Sequence, residues 1–294
     1  MLNRSGYFTA LLTSVLFCSP LCAEEVSIKQ GTLALNANLQ RVDEQPVNGR
    51  VALITHGTLA HNGMEIISTL QGLLADEELP SLAINLSLGL DNRHDMYDCT
   101  TPHNHKHTDA VSEINLWLEW LKNQGADEVV LIGHSRGGNQ TAWYSNLHPK
   151  AAIAQVLVAP ATWSESDASE NYKQRYGQSL QSVLSQAEKM KPDDMMETTN
   201  FIYCADAQVT AGSFVDYYKP DSRFNTPTLL QQTALPSLVI IGSADKTVSN
   251  LPEAMAKVDN VNIESLLIED ADHYFRDLYA DEIVEGIIEF LDQL

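Results

Sequence analysis

The sequence predicts an α/β protein with a mostly parallel central sheet and helices on both faces of that sheet. Short, wholly apolar segments recur along the chain and end at turn residues, as at 51–55 (VALIT), 129–133 (VVLIG) and 238–242 (LVIIG). Segments with helical periodicity lie between them. Strands that are apolar throughout and alternate with helices are typical of parallel sheets covered on both sides.

The first half of the chain gives these elements in order. We expect an antiparallel edge strand at 32–40, where every second residue is apolar, and buried strands at 51–55 and 81–86. An amphipathic helix is predicted over 109–123, because Val111, Ile114, Leu118 and Leu121 recur at three and four residues and Gly125 can end it. A strand at 129–133 leads directly into a second helix, which Pro149 ends, and 153–159 is the next strand.

The second half begins with a polar stretch, residues 163–235, that breaks this rhythm. A structureless loop of that length is uncommon in a compact domain. We therefore predict a partly helical insertion, a lid over the carboxyl edge of the sheet. Strands at 238–242 and 263–268 follow, and a closing helix has Ile283, Ile287, Phe290, Leu291 and Leu294 on one face.

The amino terminus is predicted to be a signal peptide, residues 1–23. Arg4 precedes an apolar stretch at 7–17, and Ala23 stands just before two glutamates. The stretch is short for a membrane span, and neither Cys18 nor Cys22 follows the small residue that a lipoprotein signal needs. We expect an exported protein, periplasmic or secreted, whose single domain covers 24–294 and is not inserted in a membrane after cleavage.

Charge and cysteine content limit the partners and the compartment. The chain has 39 acidic and 18 basic residues and a formal net charge of −21, so it repels phosphate backbones and anionic membrane surfaces. Nucleic acid is therefore not an expected partner. Cleavage of the signal would leave Cys99 and Cys204, an even pair for which we expect one disulfide in an oxidising compartment.

A nucleophile motif follows the strand at 129–133. Gly133, His134, Ser135, Arg136 and Gly137 form the pattern G-x-S-x-G between an apolar strand and a helix. A serine at such a sharp turn takes a strained backbone conformation, and the glycines on either side leave room for it. The amino end of the helix lies beside the charge that develops on an attacked carbonyl. We predict that Ser135 is a nucleophile.

A serine nucleophile needs a base and an orienting carboxylate, and both occur later in the chain. Asp245 follows the strand at 238–242, and His273 follows the strand at 263–268. All three residues would then lie at carboxyl ends of strands, where open α/β sheets place their sites.

These residues, together with His56 and Gly57, make the chain resemble an α/β-hydrolase over nearly all of its length after residue 23. The resemblance implies a triad of Ser135, Asp245 and His273. It also implies that the segment His56-Gly57-Thr58 is the oxyanion loop, with the Thr58 and Arg136 amides as donors. Asp270 and Asp272, close to His273, are the alternative orienting carboxylates. A complete serine mechanism uses no metal or cofactor, and we expect none.

Four histidines, at positions 94, 103, 105 and 107, form a tract before the helix at 109–123. Alternate residues of an extended segment share one side, so this tract, with Asp109 nearby, could bind Zn²⁺. The favoured interpretation is a polar loop at the rim of the site.

The function predicted from these features is hydrolysis of a small-molecule carboxylic ester through an acyl-enzyme. A peptidase of the same fold would use the same residues. A non-catalytic binding protein that kept the fold is the alternative from another class, and a metal-dependent hydrolase would rest only on the histidine tract.

Overall fold

A computed structural model describes residues 23–42 and 45–294. Its strands are β1 (Glu24–Gln30), β2 (Leu33–Gln40), β3 (Gly49–Thr55), β4 (Ser81–Ile84), β5 (Ala126–His134), β6 (Ala154–Val158), β7 (Met195–Phe201), β8 (Cys204–Thr210), β9 (Ser237–Gly242) and β10 (Ile263–Ile268). Its helices are α1 (Glu65–Asp76), α2 (Asp109–Gln124), α3 (Arg136–Leu147), α4 (Glu165–Tyr176), α5 (Leu180–Ala187), α6 (Ala211–Tyr218), α7 (Thr226–Leu230), α8 (Leu251–Met255) and α9 (Tyr279–Leu291), with a 3₁₀ turn at Ser222–Phe224.

The central sheet has eight strands in the order β1-β2-β4-β3-β5-β6-β9-β10. The six strands from β4 to β10 in this order pair in parallel, and β2 is antiparallel to both β1 and β4. The predicted α/β fold with a mostly parallel sheet is therefore confirmed. The strand expected at 32–40 is not the edge, however, because β1 pairs outside it.

The core lies on both faces of the sheet, which explains why its strands are apolar throughout. Leu53 and Leu131 pack in one cluster with α2, whereas their neighbours Ile54 and Ile132 pack in a second cluster with α1 and α9. Successive side chains of a strand point to opposite faces. A strand between two helical layers must therefore be apolar at every position.

The segment between β6 and β9 contains α4, α5, the antiparallel pair β7–β8, α6 and α7. The β7–β8 pair was not expected in an insertion predicted to be partly helical. Three connections hold it to the loop before α2. A disulfide joins Cys99 to Cys204, the His103 amide donates to the Gln208 carbonyl at 2.8 Å, and the Thr210 amide donates to the His103 carbonyl at 2.9 Å.

The predicted signal peptide, residues 1–23, lies outside the described residues except for Ala23. In the part of the chain that the structure describes, no helix has both the length and the apolar character needed to cross a membrane.

Candidate active site

Ser135 occupies a sharp turn between β5 and α3. Its φ of 57° and ψ of −122° are unfavourable for a residue with a side chain. The glycines make this turn possible. A Cβ atom at Gly133 would lie 2.6 Å from the Gly137 carbonyl oxygen, and one at Gly137 would collide with the carbonyl oxygen of His56. The strand, the turn and the end of β3 thus approach more closely than larger residues would allow.

The structure places Ser135, His273 and Asp245 in one hydrogen-bonded chain. His273 Nε2 lies 3.0 Å from Ser135 Oγ, and His273 Nδ1 lies 2.7 Å from Asp245 Oδ2. Asp245 comes from the loop after β9 and His273 from the loop after β10, so both side chains reach the serine from carboxyl ends of neighbouring strands. A base positioned between a serine and a carboxylate can take up the serine proton.

Asp245 is buried and remains well suited to bind a charged imidazole. Burial by itself raises the pKa of Asp245, but the hydrogen bond and charge of His273 and the amides of Val248 and Thr247 lower it below its usual value. Those two amides donate to Oδ1 at 3.1 and 2.6 Å. The carboxylate therefore stays ionised while its other oxygen faces His273.

The two alternative carboxylates have other roles. Asp272 accepts hydrogen bonds from the Tyr274 amide at 2.8 Å and from Arg276 Nη1 at 3.2 Å. Asp270 is exposed, and its amide donates to Ser243 Oγ at 2.8 Å. Neither carboxylate bonds His273, whereas Asp245 does.

His134, beside the serine, holds the loop that carries His273. Its Nε2 donates to the His273 carbonyl oxygen at 2.9 Å. Burial, and then the nearby His273 charge, lower the pKa of His134 to about 4, so the ring is neutral at pH 7. The sequence pattern included His134 only as a spacer of the motif. Its contact with a residue 139 positions away could not be inferred from it.

The predicted oxyanion loop lies against the serine turn. A Cβ at Gly57 would be 3.2 Å from Ser135 Cβ, and Thr58 Oγ1 accepts a hydrogen bond from Arg136 Nε at 2.9 Å. His56 fixes the loop from beneath: its Nδ1 donates to the Gly57 carbonyl at 2.9 Å, and its Nε2 accepts from the Leu86 amide at 3.1 Å. Burial and the charge of Arg93 lower the pKa of His56 to about 3.

A buried arginine after β4 and a buried acid on α2 hold residues 86 and 87, and the Leu86 amide bonds His56 of this loop. Arg93 donates from Nη2 to the Leu86 carbonyl at 2.6 Å and to Asn85 Oδ1 at 2.7 Å. Glu113, on α2, accepts from the Ser87 amide at 2.8 Å and from Ser87 Oγ at 2.5 Å. Burial raises the pKa of Glu113 to about 7, although the Ser87 hydrogen bonds oppose the rise. The sequence does not single out either residue, because a charged side chain on a helix or in a loop is usually solvated.

A cavity of about 710 Å³ opens onto Ser135. The carboxyl edge of the sheet forms its floor, with Thr58, Ser135 and His273 among the lining residues. The insertion forms much of its wall through aromatic side chains: Trp163, Tyr172, Tyr176, Tyr203, Tyr217, Tyr218 and Phe224. The insertion therefore contributes a largely aromatic surface to the cavity.

The histidine tract differs from the polar rim that the sequence favoured. His103, His105 and His107 are each about 1% exposed or less, and only His94 lies at the surface, where it contacts Glu25 at 2.8 Å. His103 Nδ1 lies 3.1 Å from His105 Nε2, and His105 Nδ1 lies 2.9 Å from Tyr217 Oη. Burial lowers the pKa of His103 to about 4 and of His105 to about 3.

His107 instead contacts the site. Its Nε2 donates to Asn139 Oδ1 at 3.1 Å, which leaves Nδ1 to accept from Arg136 Nη1 at 3.3 Å. Burial first, and then the Arg136 charge, hold the pKa of His107 well below its usual value. Within residues 23–42 and 45–294 no three histidine, cysteine or acidic side chains are grouped to hold a metal ion, so the Zn²⁺ interpretation of the tract has no support in this geometry.

The fold and the serine turn define an α/β hydrolase, and the chain belongs to the alpha/beta hydrolase family, which it matches over residues 52–285. Its fold is similar to Est1E from Butyrivibrio proteoclasticus, with a TM-score of 0.64, 15% identity, and coverage of 91% of this chain and 99% of that one.

Two further solved structures have the same fold. The esterase domain of a Rhodothermus marinus protein has a TM-score of 0.58 at 14% identity, with 90% of this chain and 95% of that one covered. A structure from work on the metagenome-derived lipolytic enzymes LipS and LipT has a TM-score of 0.59 at 15% identity, covering 94% and 99%. No curated protein matches the chain.

Proposed function

We propose that this protein is a serine hydrolase that cleaves carboxylic esters through an acyl-enzyme, with Ser135, His273 and Asp245 as its catalytic triad. The observation that carries the proposal is the chain of hydrogen bonds of 3.0 and 2.7 Å from Ser135 through His273 to Asp245. This chain starts at a strained serine on the floor of a cavity. Strain of this kind is retained where function uses it.

Acylation uses the residues as follows. Ser135 Oγ attacks the ester carbonyl carbon while His273 Nε2 takes the serine proton. The amides of Thr58 and Arg136, with the amino end of α3, stabilise the negative oxygen that forms. When the C–O bond of the ester breaks, His273 gives its proton to the leaving oxygen, and an alcohol departs.

Deacylation repeats these steps with water. His273 takes a proton from the water as its oxygen attacks the acyl carbon, and collapse of the second tetrahedral intermediate returns the proton to Ser135 Oγ. The product is a carboxylic acid. Asp245 stays ionised throughout, because its pKa is already lowered, and stabilises the protonated imidazole.

Two further observations favour an ester as the substrate. Two structural neighbours are described as an esterase domain and as lipolytic enzymes. The aromatic wall of the cavity also suits a small organic acyl or alcohol group, since pockets for such ligands are mainly apolar with a few placed polar groups.

We also propose that the mature protein begins near residue 24 and acts outside the cytoplasm. The disulfide between Cys99 and Cys204 supports this location, because such bonds persist in oxidising compartments.

The test combines labelling and turnover. A fluorophosphonate probe should label one serine, Ser135, as located by peptide mass spectrometry, and p-nitrophenyl esters of short acids should be hydrolysed. Ser135→Ala should abolish both the labelling and the hydrolysis, whereas Ser68→Ala, at an exposed serine of α1, should change neither.

Labelling at another residue, or full turnover by Ser135→Ala, would refute the triad. Cleavage of peptides but not esters would indicate a peptidase, and binding without turnover would indicate a non-catalytic protein.

A further inference from the structure

The cavity above Ser135 has the opposite charge balance to the rest of the protein. The chain contains 39 acidic and 18 basic residues. Yet the described residues that line this cavity include three cations, Arg136, Arg175 and Lys246, and no aspartate or glutamate. In a strongly acidic protein, a positive cavity at the proposed nucleophile suggests an anionic ligand.

Arg136 is the cation nearest the nucleophile, and it is partly buried. Its side chain donates to two neutral acceptors, Thr58 Oγ1 at 2.9 Å and His107 Nδ1 at 3.3 Å, and one face lies over the Tyr217 ring at 5.4 Å. Among residues 23–42 and 45–294 it forms no ion pair. A guanidinium has five N–H donors, so several are available to a ligand.

The surroundings hold Arg136 in place without neutralising it. His107 accepts from Arg136 only as the neutral ring, and Asn139 Oδ1 at 3.1 Å fixes the tautomer that allows this. The carboxylates whose charges act on Tyr217 or His107 are engaged elsewhere. Asp216 accepts from Thr108 N and Oγ1 at 3.2 and 2.9 Å, Asp109 accepts from the Lys106 amide at 2.7 Å, and Asp221 pairs with Arg223. A partly desolvated cation without a counter-ion is costly, and a bound anion would remove that cost.

The other two cations add a weaker field. Arg175 stacks over the Tyr203 ring at 4.7 Å, and Lys246 directly follows Asp245. Both are exposed, so solvent and salt screen them more than Arg136. They would attract an anion to the opening, and Arg136 would bind it next to the reacting serine.

We propose that the substrate is an ester that also carries a carboxylate, and that Arg136 binds this carboxylate during the reaction. The proposal rests on the esterase function proposed above and names its substrate class. A planar guanidinium matches a carboxylate through two parallel hydrogen bonds, which fixes orientation as well as charge. The carboxylate can belong to the acyl part or to the alcohol part of the ester, and the experiment distinguishes the two.

The first measurement compares kcat/KM within two pairs of esters that differ only by methylation of the carboxylate. Mono(4-nitrophenyl) glutarate and its methyl ester carry the group on the acyl side. The 4-carboxyphenyl and 4-(methoxycarbonyl)phenyl butyrates carry it on the alcohol side. After subtraction of spontaneous hydrolysis, one pair should show a preference of about tenfold or more for the anion, the size of one charge-assisted hydrogen bond.

The second measurement assigns that preference to Arg136. In Arg136→Met the ratio of anionic to neutral kcat/KM should fall close to one, and Arg136→Lys should retain part of it. The ratio is the readout, because the neutral ester gives each variant its own baseline. Arg41→Met is the matched control: Arg41 lies outside the cavity lining and pairs with Glu24 at 3.4 Å, so its loss should leave the ratio unchanged.

The outcomes separate this inference from the proposed function. If the wild-type protein hydrolyses the neutral esters through Ser135 but prefers neither anion, the substrate class is wrong and the serine mechanism stands. A preference that survives in Arg136→Met equally overturns the role of Arg136. If no ester of either pair is hydrolysed, the proposed function itself fails.

Discussion

At the scale of single residues, the site is built around neutral histidines. His56 and His107 each donate a hydrogen bond from one ring nitrogen and accept one at the other. His134 donates to the backbone carbonyl of His273. Burial lowers the pKa of all three histidines. A neutral imidazole can donate from one nitrogen and accept at the other, which a protonated ring cannot. These rings therefore fix the proposed oxyanion loop, Arg136 and the His273 loop without adding charge that would oppose a protonated His273.

We predict unequal losses within the triad. Ser135→Ala and His273→Ala should each lower kcat by about 10⁴-fold or more, because the three groups act as a unit. Asp245→Asn should cost somewhat less, since it spoils the tautomer and orientation of His273 but removes neither nucleophile nor base. Steady-state hydrolysis of a p-nitrophenyl ester measures all three.

The controls are Asp270→Asn and Asp272→Asn, which should stay near the wild-type rate. Their carboxylates lie close to His273 in sequence but bond other groups. If either control abolished turnover while Asp245→Asn left it normal, the orienting carboxylate would have been assigned wrongly.

At the scale of elements, Glu113 couples α2 to the segment that follows β4. Its carboxyl binds Ser87 through the amide and the hydroxyl. Burial raises its pKa from 4.5 to about 7 in the folded protein. Between pH 4.5 and about pH 7, Glu113 holds its proton more tightly in the folded protein than in the unfolded chain. Its contribution to the free energy of unfolding is therefore fully present at low pH and is lost as the pH rises towards about 7.

Glu113→Gln should remove this pH dependence. A glutamine has the shape of the protonated acid and can both accept from the Ser87 amide and donate to its hydroxyl. Relative to this variant, the wild-type free energy of unfolding should fall by on the order of 3 kcal/mol between pH 5 and 8. Urea unfolding at several pH values measures the difference.

Glu119→Gln, at an exposed position of the same helix, is the matched control and should show no such difference. A constant offset between wild type and Glu113→Gln across this range would show that Glu113 titrates normally.

The elements also show what the sequence could and could not predict. The apolar strands β3, β5, β6 and β9, the helix α2 and the serine turn follow from local patterns, since each is determined by residues next to one another. The strand β1 was missed because most of its residues are polar or only partly buried. The β7–β8 pair was missed because its stability depends on Phe201 and Val209, which are buried in the core cluster that also contains residues of α2.

The same distinction applies to the site. Ser135, Asp245 and His273 each stand at the end of a recognisable strand, and the structure brings the three together. The burial of His103, His105 and His107 was not foreseen because Tyr217 and Phe201, which pack on them, come from about a hundred residues further along the chain. Neighbours so distant in sequence leave no local pattern.

At the scale of the whole molecule, the disulfide between Cys99 and Cys204 is a covalent cross-link, in addition to the backbone, between the insertion and the loop before α2. It joins residues 105 positions apart. Closing a loop of that size in the unfolded chain stabilises the folded state by on the order of 5 kcal/mol in the chain-entropy model.

We predict that the denatured, unreduced mature protein has no free thiol and that reduction exposes two. Thiol titration in denaturant measures both numbers, and four thiols after reduction would show that the leader with Cys18 and Cys22 is retained. Cys99→Ala/Cys204→Ala should lower the melting temperature by several degrees. Two free thiols before reduction, with no further thiol released by reduction, would disprove the bond.

The contact between Gly137 and the end of β3 limits how this site can change. A side chain at Gly137 would push back the carbonyl of His56, and with it the loop that carries Thr58. The position of the proposed nucleophile and that of the proposed oxyanion donors therefore depend on the same contact, and neither can move without the other. Most of the aromatic wall is on separate segments, α4, α6 and the turn between β7 and β8, and the rest is at Trp163 and Phe224. Selection for a new substrate can thus act on the insertion while the reacting groups keep their geometry.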